Sequence, residues 1–179
     1  VAVTPVGVVT PPATPVSPAA PGAPASGIPS SNALLQLEGR APPGSMIFVL
    51  RNGVVVASFL ANSEGNFSTI ISSLLPGQAV FSIFSRDSNG NQSAALTLLL
   101  VLESGQTMVV KNALLPPVVQ AKTLGVLVGE SINFTGTTVP FSNVLIYGED
   151  GAFIGRTKSD AAGSFSFAID TRGLLEGTY

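Results

Sequence analysis

GRAPPGSMIFVLRNGVVVASFLANSEGNFSTIISSLLPGQAVFSIFSRDSNGNQS occupies residues 39–93. Short apolar runs alternate with turn signals roughly every 8–12 residues, the spacing of a small antiparallel β-domain. Ala41-Pro42-Pro43-Gly44-Ser45 is a turn, with proline and glycine each placed for its own φ. Residues 46–50 form the next strand. Asn52-Gly53 marks a tight hairpin, because a type I′ turn needs φ > 0 at both central positions. Residues 54–61 return as the partner strand, and Asn62-Ser63-Glu64-Gly65 turns again. Residues 67–71 and 80–85 follow as strands, separated by Pro76-Gly77. In the second of these, Val80, Ser82 and Phe84 alternate with Phe81, Ile83 and Ser85, so the two sets occupy opposite faces.

Working outward, Leu35, Leu37 and Gly39 begin a strand before this stretch, and residues 94–102 form the last strand after it. The total is about seven strands, enough for one sandwich. Residues 107–110 read as a short β-rich piece. Leu114-Leu115-Pro116-Pro117 is a junction stiffened by proline. A further β-segment opens over residues 118–128. At the other end, residues 1–27 hold Pro5, Pro11, Pro12, Pro15, Pro18, Pro21 and Pro24 and no charged residue. Such a stretch favours extended polyproline II and acts as a semi-rigid linker. Thr4, Thr10, Thr14 and Ser17 make an O-glycosylated stalk the functional alternative.

Composition excludes several classes. Charged residues are 10% of the chain, against about 25% in an average globular domain. With abundant Ser, Thr, Asn and Gly, this points to an extracellular surface. The formal net charge is −2, with no Lys/Arg cluster, so neither nucleic acid nor an anionic membrane is an expected partner. Cysteine is absent, which removes disulfides and thiolate metal sites. Histidine is absent, which removes the commonest general base and the Ser-His-Asp arrangement. The longest apolar run, residues 94–102, is about half the length of a membrane-spanning helix.

An internal repeat organises the whole. Gly39 aligns with Gly136, Pro43 with Pro140 and Ser45 with Ser142. Ile47-Phe48-Val49 falls on Val144-Leu145-Ile146. After one added residue, Gly53 falls on Gly151, and Gly65-Asn66-Phe67-Ser68 on Gly163-Ser164-Phe165-Ser166. After two more, Leu74-Leu75-Pro76-Gly77 falls on Leu174-Leu175-Glu176-Gly177. The expected organisation is a proline-rich linker at 1–30, one sandwich at 31–112 and a second at 113–179. The second copy reaches Tyr179 without counterparts of 80–102. The expectation is a fragment of a longer protein. The alternative is completion by a strand from another chain, for which residues 6–10 are a candidate donor.

The motif set Gly39…Pro43-Gly44-Ser45, Asn52-Gly53, Gly65-Asn66-Phe67-Ser68, Leu75-Pro76-Gly77 and Asp87…Gly90-Asn91…Ser93 resembles the bacterial Ig-like domain family. That pattern runs G-x-a-x-P-G-s, n-G, d-G-x-F-s, l-x-x-G and D-x-x-G-N-x-S. The second copy carries the first four blocks, with Phe141 where the turn glycine would be. The resemblance covers roughly residues 34–179. It implies tandem Ig-like antiparallel β-sandwiches of secreted or cell-surface bacterial proteins, strung together as stalks, spacers and adhesin arms.

Candidate sites are few. Asp87, Asn89 and Asn91 have the oxygen-rich look of a weak calcium loop, but the twelfth position, where an EF-hand places a bidentate Glu, would be Leu98. Asp and Asn also favour turns on their own account. Glu149-Asp150-Gly151 and Ser159-Asp160 read the same way. The acids are scattered among turns, so no glycosidase pair is singled out, and no catalytic residue or cofactor is assigned. Asn66-Phe67-Ser68, Asn91-Gln92-Ser93 and Asn133-Phe134-Thr135 match the N-glycosylation triplet, which arises readily by chance in such a chain. Of the strand aromatics, Phe84 and Phe167 have outward parity, whereas Phe48, Phe67, Phe81 and Phe165 read as core. The expectation is a non-catalytic structural spacer or adhesin-like stalk. The alternatives are a module that binds glycan or protein, or accessory domains of a larger secreted enzyme. Strand exchange between subunits ranks last. An exposed aromatic row on one sheet would favour binding.

Overall fold

The computed structural model describes residues 32–121 and 129–173. The proline-rich leader, residues 122–128 of the segment expected at 118–128, and the Leu174-Leu175-Glu176-Gly177 match lie outside them. The strands are β1 (Ala33–Arg40), β2 (Met46–Arg51), β3 (Val54–Leu60), β4 (Asn66–Leu74), β5 (Gly77–Arg86), β6 (Leu96–Leu102), β7 (Thr107–Leu114), β8 (Val118–Ala121), β9 (Ser131–Thr137), β10 (Asn143–Tyr147), β11 (Phe153–Lys158) and β12 (Ser164–Asp170). A single 3₁₀ turn, Thr171–Gly173, follows among the described residues. The architecture is all-β and Ig-like.

Two sheets build the first half, in the orders β4-β1-β7 and β3-β2-β5-β6. Alternation explains what joins them. Leu35 and Leu37 of β1, Ile71 of β4, Ile47 and Val49 of β2, and Phe81 and Ile83 of β5 all point inward and form one core. Each such side chain contributes about 1.5–3 kcal/mol when fully buried. The hairpin between β2 and β3 turns at Asn52 (φ 48°) and Gly53 (φ 83°), the positive pair that a type I′ turn requires. Asn52 is also tied to β5: its N–H donates to Val80 O at 2.8 Å, and its Oδ1 accepts from Val80 N at 2.9 Å.

The piece expected at 107–110 is a full eight-residue strand, β7, running parallel to β1. It covers the edge of β1 that β4 leaves open. Asn112, at φ 57°, sits where the β1–β7 register shifts by one residue. This bulge re-aims the strand and hid its length from a reading based on strict alternation. The chain then passes through Leu115, whose N–H donates to Arg40 O at 2.9 Å, and through Pro116-Pro117 into β8.

The second half repeats the scheme with sheets β12-β9-β8 and β10-β11. The repeat extends to individual hydrogen bonds. Ala41 N donates to Gly65 O and Thr138 N to Gly163 O, each at 2.8 Å. Asn62 Oδ1 accepts from the N–H groups of Glu64 and Asn66. Asp160 Oδ1 does the same for Ala162 and Ser164. Gly44 and Phe141, paired by the alignment, share φ values of 66° and 57°.

Phe141 thus occupies a left-handed position that disfavours a bulky side chain, and it is 65% exposed, so little packing offsets the strain. Phe141→Gly is expected to stabilise the second half by about 1 kcal/mol. Urea unfolding followed by the fluorescence of the two tyrosines, Tyr147 and Tyr179, checks this, and an unchanged or lower midpoint refutes it.

Candidate functional site

The outer face of the β3-β2-β5-β6 sheet carries an aromatic pair. Phe48 and Phe84 lie directly opposite each other on β2 and β5. Their rings stack with centroids 5.2 Å apart and planes inclined by 21°. The Arg86 guanidinium lies 5.0 Å from the Phe48 ring centre, within cation–π range. Its Nη2 donates to Gln92 Oε1 at 3.3 Å, across a bridge between the backbones of Arg86 and Gln92. Both rings are half-buried. The apolar strip continues across the sheet through the exposed Val80, its cross-strand partner Leu99, and Val101. Such a surface offers ring faces, a held cation and flat apolar area.

A second exposed cluster lies on the β10–β11 hairpin. Tyr147 and Phe153 pair across the strands and meet edge to face at 5.7 Å. Leu145 is exposed on the same strand.

Phe84 stands where its parity placed it. Phe48, read as core, is turned outward instead, because in the unbroken run Met46-Ile47-Phe48-Val49-Leu50 every residue is apolar and alternation carries no signal. The burial of Ile47 and Val49 shows which face won. Phe167 is a correction in the opposite sense. On β12 it shares parity with the buried Phe165, and its ring packs against Gly155 of β11, where a methyl would lie 2.5 Å from Cζ. Phe67, Phe81 and Phe165 are buried as read.

At the loop Asp87–Asn91, one carboxylate oxygen of Asp87 accepts from Asn89 N at 2.9 Å and Asn91 N at 2.8 Å, and the other from Asn91 Nδ2 at 2.9 Å. A cation drawn to Asp87, Asn89 and Asn91 would compete with these donors for the same oxygens. Asp150 and Asp160 likewise accept from backbone N–H groups of their own turns. Among the described residues no group of three or more His, Cys, Asp or Glu stands together to hold a metal ion.

Burial pushes the Asp87 carboxyl up, but the Asn91 amide and the surrounding N–H groups outweigh it and hold the group below its ordinary value. A depressed carboxylate stabilises the fold above the unfolded-state value, near pH 3.9, and that contribution is lost as pH falls through the folded value. Asp87→Ala is therefore expected to cost about 1 kcal/mol at pH 7, with the difference from the parent shrinking toward pH 2. Urea titrations at both pH values check it. A pH-independent difference would mean that the charge of Asp87 plays no part.

No helix among the described residues is long and apolar enough to cross a membrane. Residues 20–101 match the family model described as "Bacterial Ig domain". No curated protein matches the chain. A solved structure described as a "putative carbohydrate binding protein" from Bacteroides uniformis aligns over 79% of this chain and 80% of its own, at 14% identity and a TM-score of 0.28.

Proposed function

We propose that the chain comprises two Ig-like modules behind a linker at 1–30, with the boundary expected at 112/113 moved to residues 115–117 because β7 runs on to Leu114, and that it acts as a structural spacer of a secreted or cell-surface bacterial protein. The observation that carries this is the passage from β7 to β8. One edge strand leaves the first module and the next enters the second with only Leu115, Pro116 and Pro117 between them. Leu115 and Val118 are each 1% exposed, so the connection is packed rather than free. A stalk needs such a junction, since a flexible one would let the distal domain collapse toward its anchor. The bacterial Ig domain match over the first module supports the surface setting.

Stretching the whole chain between its two ends by force spectroscopy tests the reading. The expected record shows discrete unfolding steps, one for each module. Gradual lengthening without a step would sink it.

A second reading is favoured by one observation: the Phe48–Phe84 pair with Arg86 beside it is the aromatic surface that a glycan- or protein-binding module would present. Retention of the chain on a glycan array, abolished by Phe84→Ala, would establish it in place of a passive spacer.

A further inference from the structure

Turn residues are ordinarily exposed; in two turns of this chain the tips, Gly44 and Phe141, follow that rule, but the residues leading into them do not. Ala41 and Pro42 in the first module are buried, and so are Thr138, Val139 and Pro140 in the second. Between them lie two reciprocal approaches. A methyl placed on Gly65 would stand 3.4 Å from Cδ of Pro140. A methyl placed on Gly163 would stand 2.9 Å from Cδ of Pro43. By the alignment, Gly65 is the counterpart of Gly163 and Pro43 the counterpart of Pro140.

From this juxtaposition we infer that the modules dock on each other through an isologous contact, in which the same turn pair of each module receives the other's proline on its glycine. The inference rests on the two-module reading and adds the surface that locks the modules together. In an isologous contact residue i meets j′ and j meets i′, and the interface closes on itself. Both glycines are needed for two reasons. Their φ values, 79° in each case, are left-handed, and a side chain would first meet the turn carbonyl of its own module, Ala41 O at 2.5 Å or Thr138 O at 2.2 Å, with the other module's proline next to it: Pro43 Cδ at 2.9 Å from Gly163, too close for a Cβ, and Pro140 Cδ at 3.4 Å from Gly65, an ordinary contact. Closure has a consequence for longer arrays. The contact uses the same end of both modules, so a third module cannot dock in this way on either. The ends that carry the Asn52-Gly53 and Asp150-Gly151 hairpins remain free for a different contact.

The chain contains no cysteine, so a spin-label pair can be introduced cleanly at the exposed Ser72 and Ala168 as Ser72→Cys and Ala168→Cys. Pulsed electron-electron distance measurement on the full chain is expected to give one narrow distribution. It should stay narrow when the covalent junction is loosened by Pro116→Gly and Pro117→Gly, and broaden in Pro43→Glu/Pro140→Glu. A broad distribution in the labelled parent overturns the inference whether or not the proline variants fold. Broadening in the Pro116→Gly/Pro117→Gly chain also overturns it, because the linker alone would then set the orientation. Thermal unfolding of the same samples separates the two readings. A broad distribution together with two transitions, or with one whose calorimetric enthalpy exceeds its van't Hoff enthalpy, would refute the docking and leave the modules standing, whereas a broad distribution with one two-state transition refutes the two-module reading itself.

Discussion

Gly39→Val is expected to cost the first module about 3–5 kcal/mol, at the upper end of what single substitutions do. Gly39 lies in the middle of the β4-β1-β7 sheet, paired with Phe67 of β4 on one side and Ala113 of β7 on the other. A Cβ there would stand 2.0 Å from the Ala113 carbonyl oxygen and 2.6 Å from Cζ of Phe67. The phenyl ring could turn away, but the carbonyl belongs to the backbone of a paired strand and has no rotamer to change. Relief therefore means moving β7 off β1, which breaks the parallel ladder and bares the strand edge. For a domain of this size, a loss of 3 kcal/mol lowers the thermal midpoint by about 12–24 °C. Gly136→Val is the internal control. Its Cβ would stand 2.3 Å from Val118 O and 2.6 Å from Cζ of Phe165, so it should destabilise the second module in the same way. Differential scanning calorimetry of the two variants checks both. A midpoint within 3 °C of the parent for Gly39→Val would show that β7 does not hold its place on β1.

The pairing of Gly39 with Gly136 was legible in the sequence, but the reason for it was not. Alignment of the two copies marked both glycines. What each avoids is a carbonyl from an edge strand that reaches the same place by different routes: β7 follows its module and runs parallel, whereas β8 precedes its module and runs antiparallel. Nothing in local periodicity tells a strand which edge to join. The sequence gives one physical hint. Residues 21–24, which the alignment places opposite β8, read Pro-Gly-Ala-Pro, and proline lacks the N–H that a ladder needs. Turn chemistry was easier, because Asn52-Gly53 and the Asx turns at Asn62 and Asp160 depend on residues next to one another. The aromatic face was half legible. Phe84 lies in a run where serines mark the alternation, and its outward position could be read. Phe48 lies in a run without polar residues, and its outward position became visible only once Phe84 stood opposite it.

That contrast sets the second large effect, a comparison of neighbours on β5. Phe81 is fully buried, facing Leu98 of β6 and Arg51 of β2 across the ladder. Phe81→Ala removes the largest fully buried side chain of the core and leaves a cavity that the sheets fill only partly. The expected cost is about 3–5 kcal/mol, a large share of the roughly 5–15 kcal/mol that holds a domain folded. Phe84, three residues on, faces outward. Phe84→Ala loses the stack with Phe48, which is worth about 0.5–1.5 kcal/mol, and opens no core cavity, so the total should stay near 1–2 kcal/mol. Urea denaturation of the two variants side by side measures the difference. Equal losses would mean that Phe84 is a core residue and the outer face is no ligand surface. A small loss in Phe84→Ala together with an intact fold leaves that variant fit for the glycan-array test, where any change in binding can be read without a change in structure.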